Sequence, residues 1–287
     1  MMYSSSNISV HGKGLDPPMT SSRNLSAWNP NISPVAGDLQ PLEIIGFNFL
    51  TALYMWADIC RCASMGWHYR IDQVYPYKQY IDEDRVHLSS VMGCSNWAMG
   101  CIMDISQLEA WRNEGIFNGS YEVVEGYHRG AILQKRLIEA LKQQWPILSS
   151  VTLEERDKIL ITCAYGICAL IYLHIVILDA GPGNHMIQDY VERAITMMKA
   201  ISPHRLRCVS WPFCVAGCMA TRKKRNAFRQ IFKLACDTTT SSGTIWSGFA
   251  VVEECWKQRS ISKDWCKKGA ICWRQAMDSL GVRILLI

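Results

Sequence analysis

The stretch Ile159-Leu-Ile-Thr-Cys-Ala-Tyr-Gly-Ile-Cys-Ala-Leu-Ile-Tyr-Leu-His-Ile-Val-Ile-Leu178 holds twenty consecutive residues without a formal charge. Twenty apolar-dominated residues are long enough to cross a bilayer. They also describe a helix that is apolar on all sides because it lies at the centre of a large helical domain. Thr162, Cys163, Gly166, Cys168 and His174 interrupt the run, and its flanks offer only Lys158 and Asp179. A membrane span expects aromatic belts and a basic flank, which this stretch lacks. It therefore reads as a core helix, with no membrane association. Just upstream, Thr152-Leu-Glu-Glu155 has the spacing of a capping box, in which the threonine oxygen accepts from the Glu155 amide while the glutamate reaches back. Downstream, Gly181-Pro182-Gly183 predicts the break after about Asp179.

Working outward, the periodicity stays helical. Glu122 to Gln144 is amphipathic, with Val123, Val124, Tyr127, Ala131, Leu133, Leu137, Ile138 and Leu141 predicted on one buried stripe. Trp145-Pro146 should end it, since the residue before proline avoids helical geometry. Leu42 to Ala63 and a region near Asp82 to Arg112 read as helices, as do about 185–201, 212–236, 245–258 and 262–280. Strand signals are sparse, the isolated Asn118-Gly119 lying between no alternating runs. The expectation is an all-α fold: a large multi-helix domain of packed helical hairpins over 41–287, after a disordered leader over 1–40. That leader is rich in Ser, Asn, Pro and Gly and has too few apolar residues to offset its ordering entropy.

Composition agrees with one large core. Of 287 residues, 49% are hydrophobic and 19% charged, and eleven are tryptophan. A net charge of +5 is mild for a chain that grips nucleic acid unaided. The N-terminus has no apolar signal core, so the thirteen cysteines are expected to remain thiols that pack as small hydrophobes. The Asn-x-Ser sequons at Asn7, Asn24, Asn31 and Asn118 then carry no glycan.

Four motifs stand in order. Met92-Gly93-Cys94-Ser-Asn-Trp97-Ala-Met99 continues through Ile105, Leu108 and Trp111. Tyr172-Leu173-His174 follows, then Trp211-Pro212-Phe-Cys-Val-Ala-Gly217-Cys218. Last come Cys255-Trp256, Asp264-Trp265 and the apolar Ile284–Ile287. Together, from about residue 42 to the end, they resemble the fungal-specific transcription factor domain, the regulatory region that follows many binuclear zinc clusters. The resemblance implies transcription regulation in a fungal nucleus over a metabolic or secondary-metabolite gene set. It also implies partners that are other regulators or a second copy, a possible small-molecule effector, and contact with DNA only indirectly. As residues, Trp97, Trp111, Trp256 and Trp265 read as core fillers, Gly217 and Cys218 as small positions that admit a neighbouring helix, and Trp211-Pro212 as a helix start.

The zinc cluster itself is not found in the sequence. It needs six closely spaced cysteines built on Cys-x-x-Cys pairs, and no two cysteines here are separated by two residues. Cys208, Cys214 and Cys218 form the nearest grouping and read as packing. No cofactor is expected; zinc would enter only with a cluster encoded upstream, and the short leader is expected to leave no room for the family's earlier helices.

Arg222-Lys223-Lys224-Arg225, with Arg229 one turn on, is a candidate nuclear-localisation run or phosphate contact, against a simpler reading as a solvated helix face. An alternative is an all-α magnesium-dependent enzyme of terpene-cyclase type. It would use Asp82-Glu83-Asp84 and the Asn184, Gln188, Glu192 face, because magnesium wants converging oxygen ligands. His174 reads as a core histidine hydrogen-bonded to a neighbour, and the other histidines have no metal spacing. No nucleophile elbow, phosphate-binding glycine loop or dinucleotide fingerprint occurs, so no catalytic, DNA-binding or metal residue is expected.

Overall fold

The central helix starts at its capping box. Thr152 is extended (φ −62°, ψ 162°), its hydroxyl accepts from the Glu155 amide at 3.3 Å, and the Glu155 carboxylate accepts from the Thr152 amide at 3.1 Å. This geometry comes from a computed structural model, which describes residues 41–66, 78–237, 243–262 and 271–286. The predicted leader and Asp264-Trp265 lie outside the described residues.

In chain order the described helices are α1 (Pro41–Met65), α2 (Lys78–Asp82), α3 (Ser89–Met92), α4 (Asn96–Phe117), α5 (Val123–Gln144) and α6 (Leu153–Leu178). They continue with α7 (His185–Ala200), α8 (Ser210–Met219), α9 (Arg225–Asp237), α10 (Thr244–Ile261) and α11 (Cys272–Leu280). No strand occurs among the described residues. The chain divides after Ile44, and Ile45–Ile287 is the unit that holds the central helix and its neighbours.

Every residue of α6 from Leu160 to Val176 is buried, and α4, α5, α7 and α8 pack around it. That enclosure accounts for a helix without a polar face. Both α1 and α6 are long and apolar enough to cross a membrane by length and composition, but 94% of the α6 window is buried against 28% of the α1 window. Within the unit, the first half of α1 leaves Ile45, Phe47, Phe49 and Leu50 exposed, whereas its second half buries Trp56, Ile59, Cys60 and Ala63.

α6 ends at Asp179, where the sequence predicts, although the turn is made by Asp179 itself, in the left-handed conformation (φ 48°), two residues before the glycines. Aspartate tolerates that region better than most residues. Here Arg112 of α4 donates to both Asp179 carboxylate oxygens, at 2.8 and 3.0 Å, and holds the turn. The 82–112 region is three helices, because Gly93 (φ 79°) turns the chain before α4 begins at Asn96. Trp145 is helical despite preceding proline; α5 tightens into a 3₁₀ turn over Trp145–Ser149 with Pro146 in its first turn.

The predicted stripe of α5 is also wrong by half. Val123, Val124, Tyr127 and Ala131 are exposed, and the buried line runs through Gly126, Gly130 and Leu137, flanked by Leu133 and Leu141. Gly130 lets α5 lie close enough to α6 for Ile177 to fill the space a side chain there would occupy, and Tyr121 takes the corresponding space at Gly126.

The 212–236 helix is two helices. Arg259 of α10 donates to the carbonyl oxygens of Cys218 and Ala220, so the end of α8 is closed by a cation where the helix dipole is negative. α8 itself begins at Ser210, which puts Pro212 in the first turn, where no amide is needed.

Candidate functional site

The family-like motifs occupy three buried places. In the first, Tyr172 donates to Glu109 of α4 at 2.5 Å, and Arg274 of α11 donates to both Glu109 oxygens at 2.5 and 3.0 Å. Arg274 also donates to the carbonyls of Ala63 (2.9 Å) and Ser64 (3.1 Å) at the end of α1, where Trp273 Nε1 adds a second bond to Ser64. One guanidinium thus joins four helices. Burial and the neighbouring Glu109 charge push the Tyr172 phenol well above its ordinary value, so it stays a donor.

His174, two residues on, departs from the expectation. Neither ring nitrogen has a hydrogen-bond partner; the ring meets Tyr190 of α7 edge-on, with centroids 5.4 Å apart. Burial lowers its pKa, which keeps the imidazole neutral.

The second place is the Gly93–Trp97 turn. Gly93 supplies the positive φ, Cys94 is fully buried, and the Thr162 hydroxyl accepts from the Ser95 amide at 3.0 Å while donating to Lys158 O at 2.8 Å. That is why a threonine sits in the uncharged stretch of α6. Trp97 lies over Gly166, where an added Cβ would come within 2.8 Å of the indole.

In the third, Trp256 Nε1 donates to Gly217 O at 2.9 Å, and Val252 fills the space above that glycine. Trp211 stacks on Tyr165 with centroids 5.8 Å apart. Cys218 lies 4.0 Å from the Cys214 sulfur and 3.2 Å from that of Cys255. Burial raises the Cys218 and Cys255 thiols, and no metal-binding group of three His, Cys, Asp or Glu side chains occurs among the described residues. Trp265 belongs to this motif set but falls outside the described residues.

The residues offered for magnesium do not assemble a site. Asp82 pairs with Lys78 at 2.7 Å, and Asp84, itself at φ 56°, accepts from Asn96 at 2.7 Å. Asn184 caps α7, Gln188 donates to Pro182 O and Met219 O, and Glu192 pairs with Lys224. These side chains are each engaged with a neighbour and converge on no common point, and no group of three His, Cys, Asp or Glu that could hold a metal occurs among the described residues, so the cyclase reading is not supported. Asp82, Asp84, His87, Asn96, Trp97 and Arg136 do line an open cleft of about 620 Å³.

The basic run is only half solvated. Arg222 and Lys223 are exposed, whereas Lys224 donates to Gln188 O and pairs with Glu192 at 3.0 Å. Arg225 opens α9 and lies over the Trp256 ring at 5.4 Å, beside Arg229 at 5.1 Å. A second cleft, of about 550 Å³, opens here between α9 and α10. Sequence reading does not connect this run to Arg259, which lies on another helix and announces itself by no motif.

Comparison with known proteins places these features. The pattern of the family described as the fungal-specific transcription factor domain matches residues 25–287. The chain is 26% identical over 254 residues to the trichothecene biosynthesis transcription regulator TRI10 of Fusarium sporotrichioides, covering 84% of this chain and 56% of that protein. It is 24% identical over 285 residues to the ustiloxin B cluster transcription factor ustR of Aspergillus flavus, covering 93% and 48%. It is 27% identical over 234 residues to the transcription factor dibT of Pestalotiopsis microspora, covering 74% and 37%. The chain thus spans about half the length of the first of these relatives. No solved structure matches it. The match runs through all three buried motif sites, and the chain belongs to the fungal-specific transcription factor domain family.

Proposed function

We propose that this domain is the regulatory part of a fungal transcription regulator that controls a biosynthetic gene set from the nucleus, and that it is not an enzyme. The observation that carries the reading is the family match over residues 25–287, together with relatives named for regulating trichothecene and ustiloxin biosynthesis. The geometry supports it. Tyr172, Trp211, Gly217 and Trp256 pack helices together, and the carboxylates considered for catalysis are engaged with Lys78, Asn96 and Lys224.

In this reading DNA is reached indirectly, through a zinc cluster elsewhere in the regulator or through a partner, either another regulator or a second copy. Zinc belongs to that cluster, and the domain needs no cofactor. Its task is to modulate, through pairing or through an effector, how the DNA-bound regulator acts. A membrane role for α6 is excluded from the proposal, because that helix is enclosed by α4, α5, α7 and α8.

Deleting the gene in the native fungus and sequencing its transcripts tests the proposal. The expected result is a several-fold change confined to a co-regulated biosynthetic set, with the tagged protein imaged in the nucleus. Unchanged transcripts under conditions where the protein is expressed would refute it.

A further inference from the structure

The cleft between α9 and α10 gathers positive charge from two separated pieces of sequence. Arg225 and Arg229 of α9 and Lys257 of α10 line it, and the charges of Arg222 and Arg259 act on Arg225 from outside the lining. Arg225 and Arg229 both lie over one indole, Trp256, which is itself only 3% exposed and fixed by its bond to Gly217. A guanidinium over an aromatic face keeps its N–H edge free for an in-plane acceptor.

The partners of these cations are unequally provided. Arg259 is taken up by carbonyls of α8 and by Cys255 O, and Lys257 pairs with Glu254 at 3.1 Å. Glu254 also accepts from Gln258 at 2.5 Å, so it is fully engaged. Arg229 pairs, among the described residues, with the half-exposed Glu253, at 3.8 Å. Among the described residues Arg225 has no carboxylate partner, and its buried Nε donates to nothing. Burial and the charges of Arg259, Arg229 and Arg222 all disfavour its cation. A cluster in that condition is relieved by an anion that accepts from several donors at once.

We propose that this cleft binds a phosphate monoester dianion. Arg225 and Arg229 would grip its oxygens in the plane of their guanidinium groups, and Lys257 would add a point charge at the rim. The distribution of acids favours a single compact anion over a long nucleic-acid track. Glu253 and Glu254 line the α10 wall of the cleft itself and Glu192 holds Lys224, so the positive charge left over is local to the cleft and forms no extended basic track. Of the run Arg222–Arg225, only Arg225 is accordingly read as part of an anion site, with Lys224 folded onto α7. The phosphate could be carried by a free metabolite or by a phosphorylated side chain, and both present the same dianion above pH about 6. Binding is measured on the isolated chain, so its failure would leave the gene-regulatory reading untouched.

The test is thermal melting and calorimetric titration of the full chain with inorganic phosphate, at ionic strength held constant with sodium chloride. Phosphate is expected to raise the melting temperature saturably where chloride does not. The Arg225→Gln/Arg229→Gln double variant should lose at least about tenfold in affinity, and Lys135→Gln, exposed on α5, should lose none. If the double variant fails to fold, Arg229→Gln alone, whose side chain is half exposed, serves in its place. Glucose 6-phosphate and a phosphoserine peptide then separate the two sources, whichever binds more tightly naming the class. Stabilisation no greater than with chloride, or unchanged binding by the variants, overturns the site. So does duplex DNA of random sequence competing through the same arginines at lower concentration than phosphate.

Discussion

Replacing Arg274 with methionine should unfold the domain more readily than any single change on its surface. The substitution keeps an unbranched side chain but removes the cation that faces Glu109, whose side chain is only 8% exposed. It also removes the Arg274 bonds to the Ala63 and Ser64 carbonyls, leaving Ser64 with its bond from Trp273. Breaking a buried pair by removing one partner costs about 3–5 kcal/mol, mostly because the other charge is left uncompensated. For a domain of this size that corresponds to a fall in melting temperature of about 6–20 °C. The assay is urea unfolding of the full chain, followed by tryptophan fluorescence and far-UV circular dichroism. Adding Glu109→Leu to Arg274→Met removes the stranded carboxylate, so the double variant should recover part of the loss. The coupling energy from the four-species cycle should reach about 1–3 kcal/mol. A loss below about 1 kcal/mol for Arg274→Met, or a coupling indistinguishable from zero, would refute the claim that this residue joins four helices.

His174→Leu should stabilise the domain, because both ring nitrogens are buried without partners, a condition that costs about 1–3 kcal/mol. Its pKa is lowered in the folded state from 6.5, so the unfolded chain binds the proton more readily and stability should fall as pH drops below about 6.5; urea midpoints at several pH values should show that part of the slope disappear in the leucine variant. Gly217→Ala places a Cβ 2.8 Å from Val252 Cγ2 and should cost about 1–3 kcal/mol. Val252→Ala in the same chain should restore much of it, and two additive losses in the melting temperature would count against that contact. On α5, Val124→Lys should change stability by less than about 0.5 kcal/mol and Leu137→Ala should cost about 2–5 kcal/mol; comparable midpoint shifts would mean that the buried line of the helix is misplaced.

Local rules carry far where the physics is local. The starts of α6 and α7 follow from the Thr152 box and the Asn184 cap, and each depends on residues within a turn. The stripe of α5 fails for a reason periodicity does not encode. Two glycines carry no hydrophobic signal, yet they are buried, Gly126 under Tyr121 and Gly130 under Ile177 of α6, while Val123 and Val124 look buried and are not. The break between α8 and α9 is invisible in sequence because it is made by Arg259, from a helix further along the chain. His174 is legible as a core residue, but its lack of a hydrogen-bond partner is not, since a residue's partners are set by the tertiary fold. The four motifs are recognisable in order, but their roles as a buried charge hub, a glycine-supported indole and a thiol cluster are set by pairings between distant helices.

The hub around Arg274 has a further consequence for synthesis of the chain. Glu109 leaves the ribosome 165 positions ahead of the arginine that neutralises it, and the Ser64 carbonyl 210 ahead. At about 5–20 residues per second, the carboxylate waits on the order of ten to thirty seconds for its partner. Through that interval α4 and α6 cannot close over Glu109 without burying a lone negative charge. The nascent domain therefore reaches its full stability only once its last described helix emerges. A message whose reading frame stops before residue 271 yields a product whose Glu109 lacks its cation, and lowered stability is its expected outcome.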